Sequence, residues 1–192
     1  MKKLALLASG SGSNVENFYN YFKDNNNISI SLVLCNNPSA FVIDRCKRLN
    51  IPCKVFNRDQ FYKTEEIIDM LNSYSIDFIV LAGFLWLIPK YLIRAFDKKM
   101  VNIHPALLPK YGGKGMYGDN VHKAVVENRE IKSGITIHYV NEHFDEGEII
   151  FQAECPVQPT DTYAEVASKV HELEYAWFPK VVEELLNDSP ES

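Results

Sequence analysis

Short aliphatic runs alternate with helical patterns through the first half of the chain, and that alternation limits the fold more than any other feature. Strand signals recur at 4–8, 28–34, 53–56, 78–81 and 100–103, with helical periodicity at 15–23, 42–49, 65–73 and 91–96 between them. Such spacing builds βαβ units. Runs such as Ile76-Asp77-Phe78-Ile79-Val80-Leu81-Ala82-Gly83 carry little alternation, which is expected of strands in a parallel sheet covered on both faces. The expected class is therefore α/β, a doubly wound and mostly parallel twisted sheet. Ligands of such sheets bind beyond the carboxyl ends of the strands, so the tips at 9–14, 83–88 and 102–104 are the first places to look.

The texture changes after Pro109. A glycine-rich loop at 111–118 leads to a helical pattern near 121–127. A hairpin follows, with strands at 134–140 and 148–153 joined through 141–147. Asp161 and Thr162 stand where caps should, ahead of a closing helix that runs to about Leu186 and is expected to break or kink at Pro179. Residues from 187 read as a fraying end. With no repeat, linker or charge block in 192 residues, the expectation is one domain over 1–188 and a tail at 189–192.

A formal net charge of -5 disfavours a broad nucleic-acid or anionic-membrane surface and points to a small-molecule partner. No stretch reaches the roughly 18 apolar residues of a membrane span. The apolar run after Lys2 and Lys3 is too short for a signal peptide and leads into a glycine turn, as a first strand would. Cys35, Cys46, Cys53 and Cys155 form no CxxC pair, so reduced thiols and a cytoplasmic location are expected. The sequence carries no signal of oligomeric state.

Three stretches bear chemistry. Val101-Asn102-Ile103-His104-Pro105 reads as a buried strand ending in a rigid turn. Residues i and i+2 share a face there, so a donor amide, Asn102, sits beside a titratable imidazole, His104. That composition suits an oxyanion hole, and it equally suits a structural histidine beside a turn asparagine. Ser9-Gly10-Ser11-Gly12-Ser13-Asn14 follows the first strand and opens the first helix, where backbone N–H groups and the helix dipole favour an anion. A plain tight turn capped by Asn14 is the alternative. Val15 replaces the third glycine of a dinucleotide fingerprint, and no phosphate-binding GxxxxGK[ST] occurs. The five histidines make no HExxH and no cysteine pairing at ligand spacing, so no metal is expected. There is no GxSxG nucleophile either. Asp145 lies in the hairpin connection, a possible carboxylate partner or simply a turn residue.

Together these stretches, with Leu81-Ala82-Gly83-Phe84, Asn102-Ile103-His104-Pro105-Ala106-Leu107-Leu108-Pro109, and His138 seven residues before Asp145, resemble the phosphoribosylglycinamide formyltransferase family over nearly the whole chain. The resemblance implies a Rossmann-like formyltransferase fold with a C-terminal antiparallel hairpin and closing helix. It implies transfer of the formyl group of 10-formyltetrahydrofolate, a co-substrate, to the amine of 5-phosphoribosylglycinamide in purine (IMP) biosynthesis. Asn102, His104 and Asp145 would be catalytic. The substrate phosphate would sit on Gly12, Ser13 and Asn14, and Glu174 would contact the ribonucleotide, although a surface helix glutamate is the plainer reading of that position. Folate would lie against Leu85, Trp86, Leu87 and Ile88, with Asn102 and the loop of Asn141, Glu142, His143, Phe144 and Asp145.

Two departures stand out. Leu85-Trp86 occupies the place of the family's usual Met-Arg, and the segment after Tyr111 is richer in glycine than the family's, with Lys114 within it, which suggests a flexible lid. Methionyl-tRNA formyltransferase and formyltetrahydrofolate hydrolase are the nearest alternatives in chemistry, and both normally carry a further domain. A non-catalytic phosphometabolite-binding module would explain the first glycine loop but not Asn102, His104 and Asp145 together.

Overall fold

The computed structural model describes residues 1–188; the tail expected at 189–192 lies outside the described residues. Seven strands form one sheet in the order β3-β2-β1-β4-β5-β6-β7, and the chain divides into two compact units at Val101/Asn102.

In the first unit, β1 (Lys2–Ala8) pairs in parallel with β2 (Ile28–Cys35) and with β4 (Phe78–Leu81), and β2 pairs in parallel with β3 (Cys53–Val55). Leu4 to Ala8 are all fully buried, which is why β1 is aliphatic on both faces instead of alternating. Helices α1 (Ser13–Phe22), α2 (Val42–Leu49), α4 (Glu66–Ser73) and α5 (Lys90–Ala95) fall on the expected segments. Connections leave β1 toward β2 on one side, and β4 lies on the other. The carboxyl ends of β1 and β4 thus flank a topological switch point, where Ser9 N–H donates to the Gly83 carbonyl at 3.0 Å.

One element had no counterpart in the sequence reading. Helix α3 (Arg58–Lys63) is only six residues, too short for a periodic signal. It is started by a reciprocal capping box between Asn57 and Gln60 and anchored by fully buried Phe61.

The second unit holds α6 (Asp119–Glu127), the antiparallel pair β6 (Lys132–Tyr139) and β7 (Ile149–Pro156), and α7 (Tyr163–Asp188). Strand β5 (Met100–His104) crosses the division and delivers its last three residues to this unit. Thr162 caps α7 by exchanging bonds with Glu165, whereas Asp161 instead accepts from Gln158 N–H and Lys169. The expected interruption at Pro179 is absent: α7 continues to Asp188, so 187 and 188 are helical and not frayed. A proline removes one backbone donor, to the carbonyl four residues back. Here the buried neighbours Phe178, Val181 and Val182 hold both sides of that gap in the core. Among the described residues no helix is long and apolar enough to cross a membrane.

Candidate active site

Asn102 and His104 leave the same face of β5 and converge on one carboxylate. Asn102 Nδ2 donates to Asp145 Oδ1 at 3.3 Å, and His104 Nδ1 stands 3.4 Å from Asp145 Oδ2. The spacing of two along the strand places one partner on each oxygen. Asp145 reaches them from the hairpin connection with φ 58, a left-handed backbone that aspartate tolerates better than most residues. Gly113 N–H adds a third bond, 3.0 Å to Oδ2. Gly147 lets the connection fold back, since a Cβ there would lie 1.6 Å from the Tyr139 carbonyl.

His138 completes the cluster and was not singled out as a site residue from sequence. Its Nε2 accepts from Asn102 Nδ2 at 3.1 Å, which leaves the proton on Nδ1 to be donated to the Tyr139 carbonyl at 2.9 Å. Strand alternation was the available signal, because Thr136 and His138 share a face of β6 and Thr136 Oγ1 donates to the Ala106 carbonyl in the turn after β5. Tyr111 was also missed. Its carbonyl lies 2.7 Å from His104 Nε2, a backbone contact that no side-chain pattern announces.

Burial pushes the His104 imidazole below its ordinary 6.5, against the upward pull of Asp145 and the Tyr111 carbonyl; His138 adds to the lowering. Burial alone would raise the Asp145 carboxyl, but the neighbouring His138 and His104 rings and the Gly113 N–H outweigh it and leave it below its usual range. The result is a carboxylate ionised at neutral pH that faces an imidazole able to take up a proton. Such a pair can lend positive charge to an oxygen that becomes negative and can relay a proton.

The glycine loop also has an anion-binding shape. Gly12, and not Asn14, is the N-cap of α1: its φ is 74, and a Cβ would lie 2.4 Å from Val42 Cγ2. Ser13 and Asn14 therefore fall in the first helical turn, whose N–H groups have no intrahelical acceptor. Arg45 Nε donates to the Ser11 carbonyl at 2.7 Å and steadies the loop from α2. In the same unit Ser9 Oγ accepts from Leu85 N–H at 3.0 Å and Tyr62 Oη donates to the Leu87 carbonyl at 2.9 Å. Leu85 is 49% exposed, Ile88 is buried, and Trp86 packs among Phe56, Phe61, Tyr62 and Phe84 with the Arg58 guanidinium 5.5 Å from its ring centroid.

Among the remaining expected positions, Asn141 Oδ1 accepts from His143 N–H at 3.0 Å and shapes the connection, while Glu142 and His143 are exposed and Phe144 half-buried. Glu174 is 7% exposed on α7, which removes the reading of a surface helix glutamate. The glycine-rich segment is anchored at its start, through Gly113 to Asp145. Gly112 packs so closely that a Cβ would approach Leu108 Cδ2 to 2.6 Å.

Comparison with known proteins identifies the family. The family model described as Formyl transferase matches residues 2–182. Phosphoribosylglycinamide formyltransferase of Bacillus subtilis (strain 168) is 36% identical over 97% of this chain and 95% of its own. The chloroplastic enzyme of that name from Arabidopsis thaliana is 40% identical over 94% of this chain, which spans 64% of that relative's length. The chain likewise spans 62% of the Vigna unguiculata relative. Among solved structures, glycinamide ribonucleotide transformylase 1 from Geobacillus kaustophilus superposes with a TM-score of 0.87 at 34% identity, covering 97% of this chain and 99% of that one. Phosphoribosylglycinamide formyltransferase from Anaplasma phagocytophilum gives 0.88 at 32% identity, covering 97% and 87%.

Proposed function

Because this chain belongs to the formyl transferase family, we propose that it moves the formyl group of 10-formyltetrahydrofolate to the amine of 5-phosphoribosylglycinamide, a step of purine biosynthesis. The observation that carries this reading is the convergence of Asn102 and His104 on the two oxygens of Asp145.

The folate co-substrate supplies the formyl carbon. As the amine adds to that carbon, its carbonyl oxygen gains negative charge. Asn102 gives this oxygen an amide N–H now shared with Asp145 and His138, a donor worth roughly 3–4 kcal/mol in such sites. His104 contributes charge as an imidazolium balanced by Asp145. Asp145 also accepts the proton released by the amine and passes it, directly or through water, toward the departing folate nitrogen. The products are the formamide of the ribonucleotide and tetrahydrofolate, so atoms and charge balance.

Gly12, Ser13 and Asn14 hold the substrate phosphate, and Glu174 contacts the ribonucleotide. Leu85, Trp86, Leu87 and Ile88, together with 141–145, receive the folate. An exposed leucine beside backbone amides fits a flat ring that needs both apolar contact and edge hydrogen bonds. The two compact units work as one formyltransferase domain over 1–188, in the cytoplasm, on small molecules and without nucleic acid, membrane or metal.

The test is direct. The protein is mixed with formyl-folate and glycinamide ribonucleotide, and tetrahydrofolate release is followed. Turnover that needs the ribonucleotide supports the reading, whereas folate release with water alone indicates a hydrolase. His104→Ala should abolish turnover and retain ribonucleotide binding; unchanged turnover would remove His104 from the mechanism.

A further inference from the structure

Tyr111 leaves the catalytic turn with φ 58, a left-handed backbone that a tyrosine adopts only under constraint. Its ring is tethered at the same time. Tyr111 Oη donates to Glu130 Oε1 at 2.9 Å, and the same oxygen accepts from Lys110 Nζ at 2.8 Å. The backbone after it is held by Gly113 N–H on Asp145, while the ring itself borders a cavity of about 390 Å³ together with Lys110 and Glu130. With the ring tethered, the Tyr111 carbonyl meets His104 Nε2 at 2.7 Å. A carbonyl only accepts, so Nε2 keeps its proton in both charge states and Nδ1, facing Asp145, becomes the nitrogen that titrates.

We propose that Tyr111 is a positioning residue for His104 and that Glu130 acts through it: the tether selects the Nε2–H tautomer and so reserves Nδ1 for proton exchange with Asp145. Its catalytic consequence rests on the function proposed above, whereas the tautomer it selects does not. The charged and titratable groups around the imidazole are Asp145 from the hairpin connection, His138 from β6 and His122 from α6. Asp145 also offers only an acceptor, but it stands 3.4 Å from Nδ1 whereas the Tyr111 carbonyl is 2.7 Å from Nε2, so the shorter contact holds the proton on Nε2. The carbonyl also favours the protonated ring, and its withdrawal moves the His104 titration to lower pH.

The experiment records ¹⁵N resonances of the His104 ring against pH in the full chain, for wild type, Tyr111→Phe, Glu130→Ala and Lys110→Ala. Wild type shows neutral His104 as Nε2–H. In Tyr111→Phe and in Glu130→Ala the two tautomers mix and the titration midpoint falls. Turnover drops about tenfold with the KM for ribonucleotide within about twofold, the scale of one lost hydrogen bond in the transition state only. Lys110→Ala leaves the tautomer as in wild type. If Tyr111→Phe and Glu130→Ala lower only the melting temperature and keep the wild-type tautomer and midpoint, the tether is structural and the proposal is wrong. If Lys110→Ala reproduces their effect, charge near Glu130 is responsible and the proposal is equally wrong. Glu130 is half-buried, so Glu130→Ala tests the idea even where Tyr111→Phe folds poorly. The ring spectra need no turnover: a wild type without activity but with the expected tautomers would overturn the proposed function and keep the tether.

Discussion

Replacing Asp145 by Asn changes charge with little change of shape, and the structure sets the size of the effect. The carboxylate lies 3.4 Å from His104 Nδ1, and the two side chains are only 11% and 4% exposed. At that separation, and with an effective dielectric constant near ~20, a full ion pair is worth roughly 5 kcal/mol. The variant keeps one oxygen, yet its amide nitrogen must face Asn102 Nδ2 or the Gly113 N–H, each of them a donor. The variant then favours the imidazolium only through the Tyr111 carbonyl. If the transition state carries most of that charge, turnover should fall by about 10²–10⁴, the range seen when a general acid–base group is removed. Asparagine accepts the left-handed backbone at this position, so the fold should survive. Initial rates at saturating substrates, with ribonucleotide affinity measured separately, provide the assay. A variant that retains more than about a tenth of wild-type turnover would refute this electrostatic account.

Three further outcomes follow from features away from the reacting atoms. His122 is 2% exposed and its imidazole is held down to about 4 by burial, then by His171 and His104, against an ordinary 6.5. Its folded-state pKa is depressed, so the unfolded chain takes up the extra proton. Stability should therefore fall as pH drops from 6.5 toward 4, by about 3 kcal/mol in total, and level off below, while His122→Gln flattens this limb in urea titrations at pH 7 and 4.5. Gly147→Ala would place a Cβ 1.6 Å from the Tyr139 carbonyl and 3.2 Å from His138 Nδ1. A loss of about 3 kcal/mol or more by denaturant melting, together with loss of activity, is expected, and an unperturbed melt would contradict the contact. Asn57→Ala removes the capping box of α3 and should cost about 1 kcal/mol with turnover unchanged, checked by urea unfolding and initial rates.

Much of this fold could be read from hydrophobic pattern because its central strands β1, β4 and β5 are mostly buried. β1, β2, β4 and β5 begin or end within two residues of where their aliphatic runs suggest. The misses share a cause: they depend on local bonds or on tertiary support. Helix α3 exists through a cap and one buried ring, and α7 passes Pro179 because its neighbours are held in the core. In the site, strand alternation showed that Asn102 and His104 share a face, and left open whether that face is functional or structural. Asp145 needed the family resemblance, because a carboxylate in a turn has no distinguishing spacing. Tyr111 and Gly113 contribute backbone atoms, which any residue possesses, and so left no mark in the sequence.

The Ser9 hydroxyl, at the switch point of the sheet, accepts the Leu85 N–H at 3.0 Å and belongs to the same loop as Gly12 and Ser13. This side-chain bond adds to the backbone bond from Ser9 N–H to Gly83 in joining the two strand tips, and joined loops are not ordered independently. Whatever settles the first lowers the entropic cost of settling the second, and thermodynamic reciprocity requires the converse to the same degree. A single neutral hydrogen bond of about 1 kcal/mol caps such coupling at roughly fivefold. If these loops take the two substrates as proposed, binding should show mild positive cooperativity, and Ser9→Ala should reduce that cooperativity before it weakens either affinity.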